Sequence, residues 1–416
     1  MDEVVIIGAG ITGLTLALSL HQVGIRCRVY EAAAEIRKLG VGINLQPHGV
    51  RELTELGLGE ALEQVAVATS EMGFYNRFGQ LICSEPRGRA AGYDWPQLSI
   101  HRGELHAVQL NALRERYRAQ WGTEPVLLDY RCSGFEQDER SVTVHFANQA
   151  SVRAPLVIAC DGIHSAVRAQ LFPREGPPAF HGINMWRGVT RIKPFLSGTS
   201  MVQVGWLDVG KMVAYPIQTG TAADGLQLVN WTAELRSPDA AMVDWNRDGR
   251  LDDVLPTFAS FRFPWLDVAG LLEQAEAVLE YPMVDRDPLP RWTHGRVTLL
   301  GDAAHPMYPR GGNGAVQGII DARVLAGCLR RESVSPAALT AYETVRLKAA
   351  NDVVLMNRAA PPDTILKLVH ERTGDRPFER IEDVIGAEEL AAVGDRYKRV
   401  AGFERDSLRQ RASLIA

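Results

Sequence analysis

Three short, largely apolar runs stand out along an otherwise mixed chain: Val4-Val5-Ile6-Ile7, Leu156-Val157-Ile158-Ala159-Cys160 and Val297-Thr298-Leu299-Leu300. Runs this short, without alternation and rich in β-branched residues, predict strands buried on both faces, as in a parallel sheet. Each ends in a turn of small and acidic residues: Gly8-Ala9-Gly10-Ile11-Thr12-Gly13, Asp161-Gly162 and Gly301-Asp302. After the first turn, Leu14, Ala17, Leu18 and Val23 recur at helical spacing and predict a helix from Ile11 to Val23, followed by a strand over Arg28-Val29-Tyr30 that ends in Glu31. The run from Val4 to Ile25 is long and uncharged enough to suggest a membrane span. Acidic Asp2 and Glu3 and the glycine trio Gly8, Gly10 and Gly13 argue instead for a strand, a turn and a helix of a cytoplasmic protein.

Farther along, Leu39 to Pro47 reads as a glycine-bearing apolar loop whose Gly42 and Ile43 suit a close approach to a flat ligand. A helix with Val50, Leu53, Leu56 and Leu58 follows, and Ile100 to Glu104 opens another, placing Arg102 at a helix N-terminus. A cation there opposes the helix dipole, so Arg102 is either aimed at a ligand or is a plain surface arginine. Between about 180 and 285 the pattern changes to alternation, as in Met212 to Ile217, which predicts an antiparallel layer. Pro173 to Pro178 is the expected linker into it. Ala315 to Leu329 predicts a long helix, and charged amphipathic helices fill the chain from Pro336.

These elements predict an α/β fold: a discontinuous Rossmann-like domain over 1–178 and 286–335, an inserted, mostly antiparallel β-sheet substrate domain over 179–285, and C-terminal helices over 336–416. Composition adds exclusions. With 416 residues, 46% apolar, 23% charged and a net charge of −5, the chain is globular and lacks the basic excess that nucleic acid requires. Its five cysteines, odd in number and scattered, point to a reducing compartment, and no metal-ligand spacing appears.

The chemistry sits in the turns. G-x-G-x-x-G between a strand and a helix, with Glu31 ending the next strand, is a dinucleotide fingerprint: Gly8 for the turn, Gly10 for close approach of a pyrophosphate, Gly13 for helix packing, Glu31 for a ribose. The pattern leaves NAD and FAD open.

The trio G-A-G-I-T-G, C-D-G-I-H-S-A-V-R and G-D-A-A-H-P at these intervals resembles the single-component FAD-dependent aromatic hydroxylases of the para-hydroxybenzoate and salicylate hydroxylase superfamily. Within it, G-V-G-I-N-L-Q-P, M-W-R-G-V and D-W-N-R-D-G-R-L look most like the phenazine hydroxylases. The resemblance implies tightly but non-covalently bound FAD, with NAD(P)H and O2 as co-substrates and oxygen transfer from a flavin C4a-hydroperoxide. The implied substrate is a small aromatic or N-heteroaromatic acid, hydroxylated with or without loss of its carboxylate, in a monomer or homodimer.

Carried over by position, Gly8, Gly10, Ile11, Thr12, Gly13 and Glu31 face the ADP half of FAD, Arg102 its pyrophosphate or ribityl chain, and Asp302 the ribityl hydroxyls. Gly42, Ile43, Asp161 and Pro309 belong to the same site, and Gly312, Asn313 and Gly314 turn backbone amides to the flavin's pyrimidine edge. Asn313 replaces the usual glutamine and Val316 an asparagine, which puts side-chain contacts at those two places in doubt. For substrate, the resemblance points to Tyr215 as a hydrogen-bonding partner and Lys211 as a charge, both on one face of a strand, with Met185, Trp186 and Pro309 lining the pocket and Trp206 beside them. From the residues alone, Tyr215 reads equally as a core tyrosine, Lys211 as a solvated lysine, the large apolar side chains as core, and His305 as a structural histidine. A flavin oxidase or dehydrogenase, or a non-catalytic aromatic sensor, would share the nucleotide motifs.

Overall fold

The computed structural model describes residues 3–36, 40–218, 224–237 and 247–416. Asp2, Leu39 and the Asp244-Trp245-Asn246 part of the quoted motif lie outside them. The three apolar runs become three adjacent strands, Val4–Ile7, Val157–Ala159 and Val297–Leu299, in a six-stranded sheet continued on one side by Cys27–Tyr30 and Val126–Leu127 and on the other by Thr293–His294. All pairings are parallel except that of Thr293–His294. Ile7, Ala159 and Leu299 stand side by side in register, so the three turns emerge along one edge of the sheet. Parallel pairing is what unites motifs that are far apart in the chain, and ligands of such sheets bind beyond the carboxyl ends of the strands. Helix Ile11–Gln22 covers the sheet with Leu14, Leu16, Leu18 and Leu20 fully buried, and Gly314–Arg331 packs against that helix.

Strand Gly42–Leu45 occupies the stretch read as a loop, pairing antiparallel with Gln97–His101, which runs directly into helix Arg102–Trp121. Short apolar segments with interior glycines hide their strand character until a partner is known.

The second large sheet has eight strands in the order Arg247–Asp248, Val278–Asp285, Ala179–Ile192, Gln227–Arg236, Gly210–Pro216, Ser200–Trp206, Glu71–Tyr75 and Leu81–Pro86. Its last two strands come from before residue 178, joined through a parallel pairing of Ser200–Trp206 with Glu71–Tyr75. Local alternation carries no trace of such a crossover, so the sheet is larger than the insert expected over 179–285. One face, with Trp186, Val204, Met212 and Trp231, packs on the helices over residues 251–273. The other, with Met72, Phe74, Met185, Met201 and Tyr215, is covered in part by Ile365, Leu366 and Val369 of helix Thr364–Thr373. Among the described residues no helix is long and apolar enough to cross a membrane.

Candidate active site

At the carboxyl edge of the parallel sheet the glycine turn is built by necessity. Gly8 adopts φ +98°, and a Cβ there would lie 2.5 Å from the Cys160 carbonyl oxygen. A Cβ on Gly13 would fall on the carbonyl oxygen of Gly8. Gly10 differs: its backbone is ordinary, φ −70°, and a Cβ would meet nothing within 4 Å. Space therefore opens over the N-terminus of helix Ile11–Gln22, which has no side-chain cap and no acid in its first turn. Unpaired amides at the positive end of the helix dipole make this an anion cradle. Glu31 is pinned beside it, one oxygen accepting from the Ala9 amide at 2.8 Å and the other from the Ala33 amide at 2.9 Å.

The Gly301-Asp302 turn lies next to this cradle, with Gly301 close against Thr12. Asp302 keeps accessible surface toward the open cleft, yet the surrounding wall raises its carboxyl pKa by desolvation while His305 and Arg102 pull it back. A carboxylate so placed is a ready acceptor for hydroxyl groups. Arg102 is exposed and next to Gly40, and its amide bonds the Val41 carbonyl. A Cβ on Gly314 would lie 3.9 Å from Asp302 Oδ1, so Thr12, Gly301, Asp302 and Gly314 gather at one cleft, with Arg102 close enough to act on the Asp302 carboxyl. Pro309, itself exposed, opens the turn Pro309–Gly311 just before Gly312. Asn313 turns its side chain inward, its Oδ1 accepting from Gln317, and is only 1% exposed, while Val316 is buried against Gly49. Only backbone is available to a ligand at these two positions.

Asp161 and His305 prove to be braces. Asp161 Oδ2 accepts the Ala166 amide at 2.9 Å at the start of helix Ala166–Leu171, which Ser165 caps. From that helix the buried Arg168 reaches the Ala303 and Ala304 carbonyls, tying the second turn to the third. His305 bonds Asp321, which also accepts from Arg346 at 2.7 Å. Burial alone would raise the Asp321 carboxyl, but His305 and Arg346 hold it below the usual range.

Facing the cleft across Gly42–Leu45 is one side of the eight-stranded sheet. Period two and the observed register place Met185, Arg187 and Val189, Glu234, Thr232 and Asn230, and Lys211, Val213 and Tyr215 in three rows across it. Trp186 does not join them; as the neighbour of Met185 it points to the opposite face, into the core with Val204 and Met212. Nor is Lys211 a free charge or a solvated lysine. It is 1% exposed, bonds Glu234 at 2.8 Å and Asp363 at 2.7 Å, and Arg310 completes the cluster through Asp363. Against the cost of burial, Asp363 and Glu234 keep the Lys211 ammonium charged. Arg310 also lies over the ring of Trp206, so that tryptophan packs beside the ion cluster.

Tyr215 is buried, and desolvation pushes its hydroxyl pKa up to about 12 in spite of hydrogen bonds from Arg187 and Asn44. Arg187, missed in the sequence although it lies in M-W-R-G-V, donates to the Gly42 carbonyl at 2.8 Å. Asn230 holds the Gly42 amide from the same sheet at 2.6 Å. Gly42 and Ile43 therefore stand between the cleft and the sheet face. The signal for Arg187 was its two-residue spacing from Met185, which means little until the pairing is known. Among the described residues no cluster of metal-ligating side chains occurs.

Residues 1–234 and 273–357 match the family described as FAD binding domain. The chain is 45% identical over 368 residues to the phenazine 1,6-dicarboxylic acid hydroxylase of Lysobacter antibioticus, covering 86% of this chain and 89% of that one. It is 34% identical over 410 residues to a 3-amino-4-hydroxybenzoate 2-monooxygenase of Streptomyces platensis, covering 97% and 96%. A crystal structure of Klebsiella pneumoniae HpxO complexed with FAD and uric acid superposes with a TM-score of 0.77 at 26% identity, over 98% of this chain and 97% of that one.

Proposed function

This chain belongs to the FAD-binding domain family, and from that membership we propose that it acts as an FAD-dependent monooxygenase that uses NAD(P)H and O2 to hydroxylate a small aromatic or N-heteroaromatic acid. Both curated relatives are named for hydroxylating aromatic carboxylic acids, which is the substrate class taken over here. The observation that carries the reading is the meeting of two unlike walls: an uncapped helix end with open space over Gly10, and a buried polar sheet face a strand's width away.

The residues fit the cofactor. Open space at Gly10 and free first-turn amides suit a pyrophosphate, Glu31 a ribose, and Asp302 a polyhydroxyl chain. Asn313 and Gly314 offer backbone amides to the edge of the ring system where negative charge collects on reduction, whereas the Gly312 amide, expected to join them, is donated to the Pro309 carbonyl at 2.9 Å. When bound, FAD supplies the electron transfer and oxygen activation that no side chain can perform. The protein's own work is to orient the aromatic ring and keep water away from it. On this otherwise polar face Met185, Met201 and Met283 share an apolar cluster with Tyr215, whose neutral hydroxyl gives one directional bond to a ring substituent.

The test is purification of the chain as a yellow protein whose NAD(P)H oxidation accelerates with phenazine carboxylates, salicylates or hydroxypyridines, with product mass determined for each. Gain of one oxygen, alone or with loss of CO2, is the expected result. Oxidised product without added oxygen would favour a flavin oxidase or dehydrogenase. Ligand binding that leaves flavin reduction unchanged would favour a sensor.

A further inference from the structure

Two cations lie on the sheet face that looks toward the cleft, and their surroundings are unequal. Lys211 stands directly across from Glu234 in the strand register and has Asp363 as a second anion. Arg187 stands across from Thr232 on one side and Leu279 on the other, and among the described residues it has no carboxylate partner. Its bonds go to the Gly42 carbonyl and the Tyr215 hydroxyl, both neutral, and its buried Nε has no partner at all. Arg187 is half-buried as a residue, with its Nε walled in by protein. Burial lowers its pKa, the Tyr215 and Tyr281 hydroxyls offset this in part, and nearby Arg102 adds to the repulsion. A buried charge with neutral partners and spare donors carries an unmet desolvation cost.

We infer that Arg187 is the specificity-determining residue for the acid group of the substrate: its guanidinium receives the ring carboxylate, with the Tyr215 hydroxyl beside it. This rests on the monooxygenase reading for the identity of the ligand, and it moves the charge contact from Lys211 to Arg187. An arginine fork matches a carboxylate by two parallel bonds, and the anion supplies the compensation that Lys211 finds within the protein. The geometry also accounts for the conformation of Gly42. Arg187 holds its carbonyl and Asn230 its amide, so the strand nearest the cleft is clamped to the residue that meets the acid.

The experiment uses the flavin-loaded enzyme and paired ligands that differ only in charge, salicylate with salicylamide and phenazine-1-carboxylate with its carboxamide. Calorimetric Kd values and steady-state KM values are taken for wild type, R187Q and R187K, with flavin content and melting temperature measured on each. Loss of a charged hydrogen-bond pair predicts that R187Q weakens the acids by about tenfold to a hundredfold and the amides by less than about threefold. R187K, which keeps charge without the fork, falls between. Equal effects on acid and amide, or wild type binding no acid more tightly than its amide, would overturn the inference. Loss of flavin from both variants would also overturn it, by placing Arg187 on the cofactor. Binding is read without turnover, so selective acid binding with no oxygenated product would leave this inference standing and sink the monooxygenase reading instead.

Discussion

The glycine turn and the sheet face border one cleft and are built in opposite ways. At the turn, backbone does the work: amides at a helix end, two carbonyls that exclude side chains at Gly8 and Gly13, and a single acid, Glu31, held by two amides. At the sheet face the backbone is ordinary ladder and the side chains decide, through which charges are answered and which are not. A backbone-built site tolerates few residue types at consecutive positions, whereas a side-chain-built site is the sum of strands from separate parts of the chain.

The largest expected effect tests the first wall. Gly10→Val places a side chain where the protein itself leaves room, so the variant should fold and melt like flavin-stripped wild type yet retain no flavin through gel filtration. A variant that stays yellow would mean that the open space over Gly10 is not the cradle. Next comes the answered charge on the second wall. Lys211→Met leaves Glu234 and Asp363 buried short of one cation and should cost about 3–5 kcal/mol of stability in denaturant titration. Its preference for acids over amides should remain that of wild type, and a selective loss of acid affinity would return the substrate contact to Lys211.

Smaller effects sharpen the contrast. Tyr215→Phe should lower kcat/KM by about fivefold, one neutral hydrogen bond, and the ratio to wild type should stay flat between about pH 6 and 9. The sign follows from the hydroxyl's pKa, pushed up by burial to about 12: the phenol is neutral throughout that window, and the stability tied to its proton is lost only as pH rises from about 10 toward 12. A ratio that changes with pH in that window would show Tyr215 ionising in catalysis. Glu31→Gln removes charge and keeps an acceptor for only one of the Ala9 and Ala33 amides, and should weaken flavin binding by about threefold in equilibrium titration. An effect as large as that of Gly10→Val would mean that Glu31, not the helix end, dominates the grip.

What could be read in the sequence follows the same division. Gly8, Gly10, Gly13, Glu31 and the Gly301-Asp302 turn were legible because each sits in a contiguous run whose spacing carries its own geometry. Period two puts Lys211 and Tyr215 on one face, and the strand register shows them there. The sequence did not reveal that Glu234 and Asp363 answer Lys211, since those partners come from another strand and from the turn before a C-terminal helix. The resemblance groups Trp186 with Met185, but adjacent strand residues face opposite ways, which puts Trp186 outside the pocket wall. Strands Glu71–Tyr75 and Leu81–Pro86 were missed because their membership in the sheet depends on a parallel pairing across more than a hundred residues.

The central claim is that a backbone-held flavin and a side-chain-built face together pass oxygen to an aromatic acid. Turnover of the purified flavin-loaded protein under oxygen-18 gas, with NAD(P)H and the paired acids and amides, tests it most directly by product mass. The account predicts one heavy oxygen atom in the product and faster turnover of each acid than of its amide. Product free of oxygen-18, or reductant consumed with no oxygenated product from any acid, would contradict it.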